Sequence, residues 1–117
     1  MWKIALVTTT LALFGCGTEP APGSTDAGPV ADPVDHCIES EFWMCRREEF
    51  TGRATDEASA ACFAAIDPMC DGASWPAGCM PSASASEACI DLLRDGERID
   101  IATPDLLERF DDCALCP

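Results

Sequence analysis

Nine cysteines in 117 residues are the side chains through which this sequence could do chemistry. Eight of them, Cys37, Cys45, Cys62, Cys70, Cys79, Cys89, Cys113 and Cys116, follow residue 36, while Cys16 stands apart. Three kinds of sulfur chemistry compete for the eight. Disulfide bridging needs an even number of cysteines and an oxidising compartment. A zinc site needs close-spaced pairs; Cys113-x-x-Cys116 has that spacing and His36-Cys37 adds ligand types, but no second close pair accompanies them. A redox Cys-x-x-Cys belongs at a strand-to-helix turn, and this one closes the chain outside any such setting. Structural bridges are the favoured reading, with metal or redox handling kept as an alternative and no cofactor expected.

Other chemistry has thinner support. His36 is the only histidine. Asp35 adjoins it and serines are plentiful, but acid–base or triad catalysis needs convergence in space, so a surface histidine beside the first helix is expected. The stretch from Asp91 to Asp100 has Asp95-Gly96 as a calcium loop would, yet Leu93 falls at a ligand position and Ala102 where the closing glutamate belongs. No glycine-rich phosphate loop occurs.

The elements that must position the sulfurs read as helices. Gly17 to Asp35 carries Pro20, Pro22, Pro29 and Pro33 among Gly, Ser, Thr, Ala and Asp, and reads as a disordered tether reaching about 25 Å. From His36 to Pro117 apolar residues recur at helical period, giving one small domain. In the first segment Asp35 is the expected N-cap, and Cys37, Ile38, Phe42 and Cys45 share a face away from Glu39, Arg46 and Arg47; Thr51-Gly52 ends it. The second opens at Thr55-Asp56-Glu57, buries Ala58, Cys62, Ala65 and Ile66, and is expected to stop at Pro68, with Cys70 just beyond. Asp71 to Ser82 is a loop pinned by Cys79.

A third helix follows the capping box Ser84-x-x-Glu87, carries Ala85, Ala88, Cys89, Leu92 and Leu93 on one face, and ends at Gly96. Ile99-Asp100-Ile101 is a brief extended connector. Thr103-Pro104-Asp105 starts the last helix, with Leu106, Leu107, Phe110, Cys113 and Ala114 on its inner face. The expected fold is all-α, four short helices as two disulfide-stapled helical hairpins.

Composition limits the partners. Seven basic residues stand against 21 acidic ones, a net charge of −14. Nucleic acid and anionic membrane surfaces are therefore poor partners; solubility or a cationic partner is permitted. Trp43 and Phe50, seven residues apart and turned from the Cys45 face, either pack under the second hairpin or form an aromatic patch of the kind interfaces favour. Trp75, beside Pro76, carries the same alternatives.

Met1-Trp2-Lys3 and the apolar run from Ile4 to Phe14 have the form of a signal peptide, too short to span a bilayer as a helix. The run ends in Leu13-Phe14-Gly15-Cys16, which resembles the lipobox of bacterial lipoproteins. The resemblance implies cleavage before Cys16 and acylation of its sulfur and new amino group, a firm membrane anchor. Gly17 after the cysteine implies transfer to the outer membrane, so the expected location is the bacterial cell envelope, facing periplasm or exterior. Residues 1–15 would be the signal peptide, 16–35 the lipidated cysteine and tether, and 36–117 the disulfide-rich helical domain.

Within that domain, Cys37-x7-Cys45 and Cys62-x7-Cys70 share one spacing. Eight helical positions advance about 12 Å and turn about 80°, so both sulfurs of a pair can address one neighbour. Two antiparallel helices would set Cys37 opposite Cys70 and Cys45 opposite Cys62. This is similar to the mitochondrial twin-cysteine helical hairpins; the same nesting would join Cys89 to Cys113 and Cys79 to Cys116. Spacing alone leaves 105 connectivities for eight cysteines, and the choice among them open. Anchor, tether and cysteine-rich module together resemble the small cysteine-rich lipoproteins of myxobacterial type, a likeness of architecture that carries no activity. The expectation is a non-enzymatic binding or envelope-structural module. The alternatives are a secreted enzyme accessory or small hydrolase, and the metal or redox module already named.

Overall fold

The computed structural model describes residues 28–116. The expected signal peptide, Cys16 and the expected tether as far as residue 27 lie outside them. Five α segments follow in order: α1 (Pro33–Phe50), α2 (Asp56–Ala64), α3 (Ile66–Cys70), α4 (Ala83–Leu93) and α5 (Thr103–Arg109). Short 3-10 turns occupy Gly96–Arg98 and Asp111–Cys113. Because α2 and α3 are one helix broken at Ala65, the fold is four helices in two stapled hairpins. Among the described residues there is no strand, only an isolated antiparallel bridge between Val30 and Ser82.

Local chemistry sets the boundaries, and several differ from expectation. α1 begins one turn early. Asp32, not Asp35, caps it, accepting from the Val34 and Asp35 amides at 2.8 and 3.1 Å, with Pro33 next at a position that needs no N–H donor. The segment before it also belongs to the folded module, although the sequence placed everything before His36 in the tether. The Ala31 amide donates to Pro81 O, the Ala83 amide to Pro29 O, and Ala31 is buried.

Thr55 caps α2 by accepting from the Ala58 amide at 3.1 Å. Pro68 does not end the helical run; it falls in the first turn of α3, where a missing N–H costs nothing, so Cys70 is inside that turn. Ser82 rather than Ser84 caps α4, accepting from the Ala85 amide at 3.1 Å. Gly96 is not the stop either: α4 ends at Leu93 and Gly96 opens a 3-10 turn capped by Asp95, where an extended connector was expected to follow. Thr103 lies at the start of α5 but sends its hydroxyl to Glu48 at 3.1 Å instead of capping, and α5 stops at Arg109, leaving Phe110 extended and Cys113 in a separate turn.

Four disulfides staple these elements: Cys37–Cys70 and Cys45–Cys62 tie α1 to α3 and α2, while Cys89–Cys113 and Cys79–Cys116 tie α4 and the loop before it to the C-terminal tail. Each hairpin has its own small core. One gathers Cys45, Ile66 and Cys70; the other gathers Cys89, Leu92, Leu93 and Leu106, with Trp43, Met44 and Phe110 against it. Of the residues expected inside on the second segment, Ile66 is buried in α3 and Cys62 partly buried, whereas Ala58 and Ala65 are exposed; the buried residue of α2 is Ser59, held by a 2.7 Å bond to Glu49. On α4 it is Ile90 that is buried, and Ala88 is exposed.

The seam between hairpins is built on Arg47, which the helical pattern turned away from the core. Its side chain is 0 % exposed. The guanidinium donates to Leu93 O at 3.1 Å, Arg98 O at 2.9 Å and Ile101 O at 2.6 Å. It thereby caps the carbonyl end of α4, where orphan acceptors and the helix dipole favour a cation. Burial, reinforced by the nearby Arg53, holds its pKa below the ordinary arginine value. Removing the guanidinium leaves Leu93 O and Ile101 O without a donor, while Arg98 O keeps the Ile101 amide, so Arg47→Met should lower stability by about 3 kcal/mol. Arg46→Ala, one residue away and held only by exposed contacts to Glu49 and the Phe50 ring, should change it by less than about 1 kcal/mol. Urea unfolding of the oxidised protein separates the two outcomes.

Candidate binding surface

The eight cysteines that could have held a metal or run redox chemistry are all half-cystines here. Among the described residues no group of three or more His, Cys, Asp or Glu is placed to hold a metal ion. Cys16 lies outside the described residues.

His36 is half-buried, not a surface side chain. Its Nδ1 is 2.7 Å from Ser86 Oγ on α4, and its ring stands 5.3 Å from that of Trp75. Asp35, the adjacent acid considered for an orienting role, is exposed, and its backbone amide donates to Asp32. The contact therefore brings a histidine to a serine and joins α1 to α4. Trp75 Nε1 donates to Ala31 O at 2.8 Å, so this indole holds the N-terminal segment against the loop. Trp43 packs on the core of the second hairpin, edge-on to Phe42. Phe50 does not join it: 67 % exposed, its ring carries the Arg46 guanidinium at 4.9 Å. The two readings of the aromatic stripe thus divide between its members.

No protein-family model, curated protein or solved structure matches this chain.

What the fold leaves uncovered is one side of α1. Val34, Ile38, Phe42, Arg46 and Phe50 recur every four residues, so they form a ridge along the helix. Ile38 and Phe42 were expected inside, with Cys37 and Cys45; instead Phe42 is 40 % exposed and meets Phe63 at 5.5 Å between ring centroids. At the N-terminal end of the ridge is a hollow of about 420 Å³ lined by Val34, Ile38, Asp67, Pro68, Cys70 and Asp71. Apolar residues and two aspartates line it together. Met69, also on α3, is 54 % exposed.

Sequence reading missed Asp67 and Asp71 as site residues. One signal was available: no Lys or Arg occurs between Arg53 and Arg94, nor between Lys3 and Arg46. A second, larger groove of about 690 Å³ runs between the Pro76–Ser82 loop and the tail, edged by Asp111 and Asp112. Its walls are mostly small residues, among them Ala77, Gly78, Ala85 and Ala114.

His36 also sets a pH response. Burial lowers its pKa below the ordinary 6.5, with Glu39 opposing the shift. As pH falls below 6.5 the unfolded chain takes up a proton that the folded chain resists, so stability is full above 6.5 and declines below it towards the folded pKa. His36→Gln, which retains a hydrogen-bonding partner for Ser86, should flatten this part of the stability profile. Urea midpoints at pH 7.5 and 5.5 for both proteins test it; equal slopes would remove His36 as the cause.

Proposed function

We propose that this small, four-disulfide protein is a membrane-anchored extracytoplasmic lipoprotein whose folded part is a non-enzymatic binding module. The observation that carries the reading is the sulfur count. Eight of the nine cysteines are joined in four bridges, so the single one left over is Cys16, at the end of Leu13-Phe14-Gly15-Cys16. Four bridges also suit an oxidising compartment outside the cytosol, which is where such an anchor is attached. No helix among the described residues is long and apolar enough to cross a membrane.

The binding half of the proposal draws on the ridge of α1. A small protein has few apolar residues to spare, and here Ile38, Phe42 and Phe50 stand outside cores that contain only a handful of buried aliphatic side chains. In this reading the residues between Cys16 and Gly28 link lipid to module, and the pairing of Pro29–Ala31 with Pro81–Ala83 fixes where the link enters the fold.

Intact mass of the protein isolated from its native envelope should begin at Cys16 and carry the mass of a diacylglyceryl group plus one amide-linked acyl chain. Cys16→Ser should abolish labelling by an alkyne fatty acid and release the protein from the membrane fraction, with the four disulfides retained. A mature chain starting elsewhere, or one without lipid, overturns the anchor.

A further inference from the structure

We propose that the hollow at the N-terminal end of the α1 ridge receives a basic side chain of a partner protein, presented on an amphipathic helix whose apolar face covers Ile38 and Phe42. This rests on the reading of the folded part as a binding module and names the chemistry of its partner.

The hollow has the two surfaces that a lysine or arginine needs. Val34, Ile38 and Pro68 offer apolar contact for the aliphatic stem, and Asp67 and Asp71, which line the same hollow, supply carboxylates for the charged head. Neither carboxylate side chain has a hydrogen bond or ion pair among the described residues. Glu48, Glu49, Glu87, Asp91 and Asp95 are each paired with an arginine, whereas Asp67 and Asp71, like the other described carboxylates, are not. No arginine lines the hollow; the one on the same ridge, Arg46, lies two turns beyond Ile38 and is paired with Glu49. Asp32, Asp35 and Glu39 add negative charge along the same half of α1, all of them exposed.

The next two turns of the ridge explain why the ligand is more than a free cation. Ile38 and Phe42 continue from the hollow at helical spacing, and Phe42 and Phe63 form a ring pair at 5.5 Å that a cation or an apolar side chain can cover. A partner helix carrying a basic residue with apolar residues three, four and seven positions on would reach both parts of the surface at once. Two other classes of occupant are disfavoured by charge. Phosphate-bearing nucleic acids and anionic lipids would meet unpaired carboxylates, and a second copy would bring another strongly acidic chain to the same face.

The test uses the full chain, made in an oxidising host, and a fluorescein-labelled amphipathic helical peptide with lysine and leucine at those spacings; its glutamate-for-lysine counterpart is the control. Anisotropy should show saturable binding of the lysine peptide only, weakening as salt rises. Asp67→Asn with Asp71→Asn should weaken it at least tenfold, and Phe42→Ala should do so by a similar factor. Asp111→Asn with Asp112→Asn, at the other groove, should leave affinity within twofold of the parent. Circular dichroism and a thiol assay show whether each variant keeps its helices and bridges; should Phe42→Ala fail that check, Ile38→Ser takes its place.

Equal loss from both aspartate pairs would mean attraction to acidity in general and would overturn the site. So would binding that survives Asp67→Asn with Asp71→Asn, or no binding at all. Saturable uptake of calcium by the same aspartates, or self-association abolished by Phe42→Ala, would assign the face to a different occupant and overturn the proposal as well. These outcomes leave the acylation of Cys16 untouched, since that is read by mass.

Discussion

No disulfide among the described residues crosses from the first hairpin to the second; the join between them turns on the Arg47 guanidinium. Two bridges lie within the α1–α2–α3 unit and two within the unit formed by the Asp71–Ser82 loop, α4 and the tail. Across the gap, Arg47 gathers carbonyls from the end of α4 and from the connector that follows it. An ammonium could not present several N–H donors in a fixed plane, and a neutral side chain would leave the C-terminal dipole of α4 uncompensated. The smaller contacts of the seam reinforce the same closure. Trp43 and Met44 pack on the second core, Glu48 accepts from Thr103 on α5, and His36 meets Ser86 near the other end of α1. The covalent links therefore hold each half in shape, while one buried cation holds the halves in register.

Sulfur does work inside each half that aliphatic bulk does in larger proteins. Of the nine buried apolar residues among those described, three are half-cystines, and both cores are organised around them. A chain this short cannot remove enough apolar surface from water to offset the ordering of its backbone comfortably. Closing loops of 17 to 37 residues contributes about 3 to 4 kcal/mol per bridge on the chain-entropy account. Stability of that origin makes little demand on the surface. Twenty-one acidic residues can be carried, and apolar side chains can stand outside, without the fold depending on either.

The helical class and the presence of bridged hairpins were legible because period and cysteine spacing are local and strong. What was misread has a common physical cause: a residue type was taken for its commonest role. Asp32-Pro33 was absorbed into a proline-rich tether, although it is the same start signal that was recognised in Thr103-Pro104. Pro68 was taken as a stop, but a proline also begins a turn, and here the break lies three residues earlier at Ala65. Arg47 was assigned to solvent by an argument that allows α1 one buried face. α1 has two, one against α2 and α3 and another against α4 and α5, so the side away from the cysteines is also covered. The hollow at Asp67 and Asp71 was invisible for a different reason: it joins α1 to a turn some thirty residues away, and nothing in local pattern reports that.

The double burial of α1 decides what the molecule can offer outwardly. With neighbours on two sides, only a narrow strip of the helix remains in water, and its composition is under no demand from either core. A strip composed only of charged residues would serve solubility. Instead it carries Ile38, Phe42 and Phe50 beside Asp35, Glu39 and Glu49, an apolar ridge with acidic margins. Because the helix is cross-linked near both ends, at Cys37 and at Cys45, the strip is presented without a loop to order or a backbone to settle. Association through such a surface loses less conformational entropy than association through a mobile one, so a modest area can support recognition. The staples that compensate for a small core thus also make the exposed side of α1 a preorganised one.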